Sequence, residues 1–564
     1  MAEVKTALIS VYAKEGIDVF AKKLVDRGWQ ILASGGTAKF LESAGIPVKD
    51  VADLIGGAAI LGHRVVTLSR EVHAGLLSRN IPEDIAEMER LGLTRIDLVC
   101  CDFYPLVEEI AKPGATTESV IEKTDVGGPT MVHSGAKGSR IVICDPDDRQ
   151  MVIDQLEAAG DVDEKTRQHL RAKAEAVVAA YCLDSARFHG AGEFDGFIGR
   201  VIFELAYGEN RDQSPAYLYS TGTDDPLAWD KFEVVSGLPG FINMADGDRT
   251  LQILCLMAEA YRRNFEGKVP FIAIACKHGN PCGAAVDWND PKTALTKALL
   301  GDHIAVMGAE VMTNFVITDE LAQNLFGVPS YLFTDELAQN LFGASSYLSV
   351  RVNRELWGVD VVFAPGFSEE AIKLLGKKER RRLLANPALA NPVMSGDEWV
   401  IRPVRGGFLR QKASRFVFES AAVEEWTGQQ GLGPDDYSSL IIAWAVTWRA
   451  SSNTVALAKR HMLIGLGCGQ QDRIACVKLC LDRAERAGHN PTGSLFASDA
   501  FFPYARRKKE EDPLEGPELL NQAGCIGGVV PADGKNLAEV KEFFASTGMA
   551  VAFLLKEHRG FSGH

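Results

Sequence analysis

The stretch Phe271-Ile272-Ala273-Ile274-Ala275-Cys276-Lys277-His278-Gly279-Asn280-Pro281-Cys282-Gly283 decides how this chain is read. Its first six residues form an apolar run that reads as a buried strand, with Lys277-His278 at the carboxyl end, where open α/β sheets place ligands. Asn280-Pro281 and Gly283 then predict that the strand breaks. An imidazole near neutrality can take a proton from a weak amine nucleophile, and a neighbouring cation can hold the oxyanion formed at the attacked carbon. The pair fits formyl or acyl transfer. Taken alone, it fits a solvated strand end equally well.

Zinc chemistry is not expected at Cys282. Nucleobase deaminases set a Pro-Cys-x-x-Cys against a His-x-Glu, and here Pro281-Cys282 is followed by Gly283, Ala284 and Ala285, so the second thiolate is missing. The 564 residues, 46% apolar and 24% charged, describe a globular protein of more than one domain. With 75 acidic against 60 basic residues the net charge is -15, which argues against nucleic acid and anionic membrane as partners and requires local positive pockets for anionic substrates. Eleven cysteines form no disulfide framework, the opening residues Met1 to Lys5 carry no signal-peptide pattern, and no apolar run approaches a membrane span. A cytoplasmic enzyme is expected.

Working outward, Thr6–Val11, Gln30–Ala33, Asp97–Cys101 and Arg140–Cys144 read as short strands, with helices over Gly16–Arg27, Thr37–Ser43 and Lys173–Cys182. Strands alternating with helices predict a parallel sheet. The Gly-rich Gly190–Gly199 closes this unit, giving domains 1–199 and 200–564. Thr318–Gly327 recurs sixteen residues later as Thr334–Gly343; each copy can form a short capped helix, and the extra copy is expected in a surface excursion. The basic runs Lys377–Arg382 and Arg506–Lys509 have acids in or beside them and no interleaved aromatics, so both are expected to be solvated surface.

Lys277-His278-Gly279-Asn280-Pro281-Cys282-Gly283 resembles the signature of the bifunctional purine biosynthesis proteins, which join a formyltransferase acting on aminoimidazole carboxamide ribonucleotide (AICAR) to inosine monophosphate (IMP) cyclohydrolase. Similar strings follow in order, among them Ala33-Ser34-Gly35-Gly36-Thr37, Asp125-Val126-Gly127-Gly128-Pro129, Pro239-Gly240-Phe241-Ile242-Asn243, Gly467-Cys468-Gly469-Gln470 and Ser498-Asp499-Ala500-Phe501-Phe502-Pro503. The resemblance implies an N-terminal doubly wound, methylglyoxal-synthase-like α/β domain with the cyclohydrolase. A larger cytidine-deaminase-like α/β region of two related subdomains, with no metal site, would hold the formyltransferase. It also implies 10-formyltetrahydrofolate as co-substrate, purine nucleotides as ligands and a homodimer.

Ser34-Gly35-Gly36-Thr37 lies between a strand and a helix, where free amides and hydroxyls can hold an anion. With Lys14, Arg64, Thr67, Gly127 and Gly128 at matching positions, the resemblance implies a nucleotide pocket there, and Tyr104, Asp125 and Lys137 as the residues of ring closure. For formyl transfer it implies His278 as proton relay, Lys277 as charge stabiliser and Asn453 as orienting group. Tyr207, Asn243 and Arg559 would hold the nucleotide, and Asp360, Gln470, Asp499 and Phe501 the folate.

The chain also departs from that pattern. Val66 stands where the family has a lysine assigned to ring closure, Tyr12-Ala13 replace Ser-Asp, Asp102 an Asn, His133 an Arg, and Ala206 an Arg before Tyr207. His63, Arg70 and Arg211 are the nearby basic residues that could compensate. Two alternatives therefore stay open: a formyltransferase whose first domain only binds a nucleotide, and a non-enzymatic interaction protein on the same scaffold.

Overall fold

A computed structural model describes residues 4–61, 64–325, 358–377, 381–396, 399–428 and 431–560. His63, the second copy of the repeat and residues 378–380 of the first basic run lie outside them. The chain divides into two compact units, Met1–Gly199 and Arg200–His564.

In the first unit, β1 (Thr6–Ser10), β2 (Gln30–Ala33), β3 (Lys49–Asp50), β4 (Leu98–Cys101) and β5 (Ile141–Ile143) form one parallel sheet in the order β3-β2-β1-β4-β5. The central strands are buried on both faces, so they read as continuous apolar runs rather than alternating ones. One face packs on Ile17, Phe20 and Leu24 of the helix Ile17–Val25, whose helical spacing exposes the intervening lysines. The other packs on Met131, Val132 and Ala136 of the helix Gly127–Lys137. The expected Lys173–Cys182 helix is the middle of a longer one, Glu164–His189.

The second unit begins with a hairpin, β6 (Arg200–Leu205) and β7 (Ala216–Ser220), and later carries a second, β14 (Trp399–Val404) with β15 (Gly407–Lys412). Its core is a twelve-stranded sheet made of two matching sets. The first set is β8 (Glu233–Ser236), β9 (Phe271–Lys277), β10 (Asn280–Asp287), β11 (Glu310–Thr313), β12 (Val361–Ala364) and β13 (Arg382–Ala385). The second is β16 (Glu425–Thr427), β17 (Val455–Lys459), β18 (Met462–Gly467), β19 (Leu495–Ser498), β20 (Gly527–Pro531) and β21 (Ala550–Leu554). The order β16-β21-β20-β19-β17-β18-β10-β9-β11-β12-β13-β8 runs through one topology twice, the halves meeting antiparallel at β10 and β18. Each half has a long helix before its hairpin, Phe241–Asn264 in the first and Pro434–Arg449 in the second. These are the two related subdomains that the resemblance implied.

Two expectations are corrected. The chain does not break after Lys277: the two-residue turn His278-Gly279, with φ of 54° and 69°, returns it directly into β10 at Asn280. Paired left-handed residues match the twist of a tight hairpin, and a register shift between Pro281 and Gly283 accommodates the proline. In the first copy of the repeat Leu321, Ala322 and Leu325 of the helix Asp319–Leu325 are buried, while the extra copy, expected in a surface excursion, lies outside the described residues. In the first basic run Arg381 is 1% exposed and its Nε donates to the Val359 carbonyl at 3.0 Å, so it is part of the interior.

Candidate functional site

In the first unit the carboxyl ends of β1 and β2 bring Lys14, Ser34, Gly35, Gly36 and Thr37 together. Ser34 precedes the helix Gly35–Ser43 and meets the Ser10 hydroxyl at 2.7 Å. Thr37 is 2% exposed; its Oγ1 exchanges hydrogen bonds with the Val11 backbone and accepts from Lys14 Nζ at 3.1 Å. Burial lowers the pKa of Lys14, and the nearby Asp102 charge offsets part of that. Asp102 also accepts from the amides of Tyr12 and Ala13, so a carboxylate occupies donors that an anion would otherwise use.

Beside this, Asp125 Oδ1 accepts from Gly128 N at 3.0 Å, while the Asp125 amide donates to Tyr181 Oη at 2.7 Å. A Cβ on Gly127 would sit 2.6 Å from Thr67 Oγ1, and one on Gly128 would sit 2.6 Å from Asp125 Oδ2, so both glycines are needed for this close approach. Burial raises the pKa of Asp125 against the pull of the Gly128, Tyr104 and Gly127 amides; burial, then the Asp125 charge, raises that of Tyr104. Tyr104, Asp125, Thr67, Gly127 and Gly128 are thus one cluster. Two expected members stand apart. Arg64 pairs with Glu122 at an exposed position. Lys137 ends the helix that Gly127 begins, ten residues and about 15 Å away. Val66 packs against the apolar cluster that includes Leu8, Val72 and Met131.

In the second unit Lys277 and His278 occupy the β9–β10 turn. Lys277 Nζ donates to the Met307 carbonyl at 2.7 Å, and His278 is exposed. Asp246, from the helix Phe241–Asn264, accepts from the amides of His278 and Gly279; burial raises its pKa and those bonds oppose the rise. Asn280 ties the turn inward, donating to the His278 carbonyl at 3.1 Å and accepting from Ser451 N at 3.0 Å. Two residues on, Asn453 donates to the Gln470 carbonyl at 2.8 Å and accepts from Arg473 Nη2 at 2.8 Å.

Arg473 also pairs with Asp499, at 6% and 0% side-chain exposure. Asp499 further accepts from Thr454 N at 3.0 Å and from Ser452, so it is a wholly enclosed brace for Asn453 rather than a wall open to a ligand. Removing one member of such a pair strands a buried charge, at about 3–5 kcal/mol. Next to Arg473 lies a cavity of about 150 Å³ lined by Ile474, Phe502, Tyr504 and Glu515. Phe501 faces Arg559 at 5.8 Å, and Arg559 pairs with Asp533. Tyr207 lies against Gly240, and Asn243 accepts from Gly240 N at 2.9 Å at the start of the Phe241–Asn264 helix. Asp360 stands by Gly308, on the Lys277 side.

Sequence reasoning missed Asp246, Arg473 and the cavity residues. No signal in the sequence sets Asp246 apart, because the same helix also carries Asp248, Arg249 and Glu259. Among the described residues there is no group of three or more His, Cys, Asp or Glu fit to hold a metal ion, and no helix long and apolar enough to cross a membrane. All eleven cysteines are free.

A parallel α/β unit with a Ser-Gly-Gly-Thr helix entry, followed along the chain by a duplicated α/β unit with an amine and an imidazole on one hairpin, defines a two-unit α/β protein with a candidate site in each unit. The family model described as AICARFT/IMPCHase bienzyme matches residues 138–483, and that of the MGS-like domain matches 16–130. The chain belongs to the AICARFT/IMPCHase bienzyme family, which joins AICAR formyltransferase to IMP cyclohydrolase in purine biosynthesis. It is 32% identical to the bifunctional purine biosynthesis protein PurH of Anoxybacillus flavithermus over 98% of this chain and 99% of the relative. It is 31% identical to that of Halalkalibacterium halodurans over the same shares. Among solved structures, ForH is 36% identical and matches 34% of this chain and 100% of its own, with a TM-score of 0.31.

Proposed function

We propose that the unit Arg200–His564 transfers the formyl group of 10-formyltetrahydrofolate to AICAR, and that Met1–Gly199 closes the product to IMP slowly. The observation that carries this reading is the Lys277–His278 turn, held by Met307 on one side and Asp246 on the other and joined through Asn280 to the segment bearing Asn453. The AICAR amine attacks the formyl carbon, forming the new C–N bond as the bond to the folate N10 breaks. His278 accepts the amine proton and returns it to N10, Lys277 stabilises the oxyanion, and Asn453 orients a partner. The apolar cavity beside Arg473 suits the folate ring, with Asp499 acting through Asn453 and Arg473.

In the first unit the carboxamide nitrogen attacks the formyl carbon, Asp125 takes the nitrogen proton while Tyr104 bonds the formyl oxygen, and that oxygen, protonated, leaves as water; Ser34 to Thr37 with Lys14 hold the phosphate. Three features weaken this site: Val66 carries no charge, Asp102 faces Lys14, and Arg64 is engaged by Glu122. Attack within one molecule already meets much of the entropic demand, so slow closure survives the loss of one group. The second unit forms a homodimer in the cytoplasm; exposed Tyr219, Val400 and Leu409 on its hairpins give a second copy apolar surface to cover.

A coupled assay with AICAR and 10-formyltetrahydrofolate, following formylated intermediate and IMP separately, tests both steps. Intermediate should accumulate ahead of IMP. Intermediate without IMP would favour the monofunctional reading, and neither product would sink the enzyme reading.

A further inference from the structure

Glu310 opens β11 and is 2% exposed, within a strand otherwise made of buried Val311, Met312 and Thr313. Its Oε1 accepts from Asn243 Nδ2 at 2.9 Å, and Asn243 Oδ1 is taken by Gly240 N at 2.9 Å, so these two bonds set the direction of the Asn243 carboxamide. Its Oε2 is buried without a hydrogen-bond partner among the described residues. Asp246 faces it from the Phe241–Asn264 helix, Asp360 from the entry to β12 and Arg382 from β13, while Cys276 on β9 is its register partner. An ionised Glu310 would leave a bare carboxylate oxygen beside two further acids, whereas the acid form leaves only a hydroxyl. Burial raises its pKa well above the carboxylate range; the Asn243 bond and the Arg382 charge oppose this, and Asp246 and Asp360 add to it.

The fold itself does not demand an acid here. Glu310 lies opposite Cys276 as Leu495 lies opposite Ala458 in the second half, and Leu495 is 1% exposed.

We propose that Glu310 is a positioning residue of the formyl-transfer site: as a neutral acid it fixes the Asn243 carboxamide for the nucleotide and leaves Asp246 as the charge that anchors the Lys277–His278 turn. The assignment of Asn243 to AICAR rests on the formyltransferase reading above.

The test measures AICAR affinity by calorimetry and thermal melting, for the full chain and for Glu310→Gln and Glu310→Leu, from about pH 6 to about pH 9. Wild-type affinity should fall as pH rises through the raised titration of Glu310, by about tenfold or more once the carboxyl is ionised and the turn is disturbed. Glu310→Gln, which keeps the acceptor without the charge, should match wild type within about threefold near pH 7 and lose the alkaline decline. Glu310→Leu should fold and melt at or above wild type at neutral pH, yet bind AICAR about tenfold more weakly at every pH.

A group whose folded-state pKa is raised stabilises fully below its unfolded value and loses that contribution as pH rises toward the folded one. The melting gap between Glu310→Gln and wild type should therefore widen with pH. An alkaline decline retained in Glu310→Gln, a weak Glu310→Gln at neutral pH, or wild-type affinity in Glu310→Leu would overturn the proposal. Normal AICAR binding without formyl transfer in wild type would count against the formyltransferase reading and leave these comparisons decisive for Glu310.

Discussion

A side chain that relays a proton must be able to meet its substrate, and His278 is exposed while its backbone amide is fixed by Asp246. His278→Ala should therefore leave the fold intact and cut formyl transfer by about two to four decades, with closure of supplied formylated intermediate unchanged. Near-normal turnover would remove His278 from the mechanism. Val66 makes the complementary case. Its neighbour Thr67 abuts Gly127, and its own side chain packs against a buried apolar cluster, so a lysine stem can lie on the same apolar surface and send its amine outward. Val66→Lys should raise the cyclisation rate by about two decades, measured with purified formylated intermediate; an unchanged rate from a brisk wild type would show that another cation serves. The residues that the proposed mechanism sets on the substrate were named from the sequence because their types carry the chemistry. Asp246 and Glu310 were not, since each is a single acid whose meaning depends on the strand and helix that enclose it.

At the scale of elements, the apolar strands of the first unit were legible because a strand buried on both faces leaves a continuous run, as in Gln30–Ala33. The β9–β10 hairpin was misread for an equally physical reason: Pro281 argues against a strand unless a register shift takes up the missing donor, and tertiary pairing supplies that shift. Burial of Leu321, Ala322 and Leu325 likewise depends on partners distant in sequence. Excising residues 318–333 brings the second, identical Thr-Asp-Glu-Leu-Ala-Gln-Asn-Leu-Phe-Gly string into the place of the first. Stability should change by less than about 1 kcal/mol in denaturant titration, because closure entropy varies only with the logarithm of loop length. Unfolding or loss of formyl transfer would mean that the two copies are not interchangeable.

At the scale of the whole molecule, the proposed dimer predicts that dilution lowers formyl transfer before it lowers cyclisation, followed by parallel assays and sedimentation; a fully active monomer would refute it. The repeated half-sheet has a different consequence. Its second hairpin turns at Arg460-His461 with φ of 51° and 64°, beside a capped helix whose Ser439 hydroxyl accepts from His461 N at 3.0 Å, where Asp246 accepts from Gly279 in the first. The chain thus carries a comparison for its own hairpin: what both turns share is what the architecture requires, while the first has an exposed imidazole at the first turn position and an acid in place of Leu495, and the second keeps its imidazole, His461, at the second position, bonded to Asp435 at 3.1 Å. Exchanging such positions between the halves separates upkeep of the scaffold from catalysis within a single polypeptide.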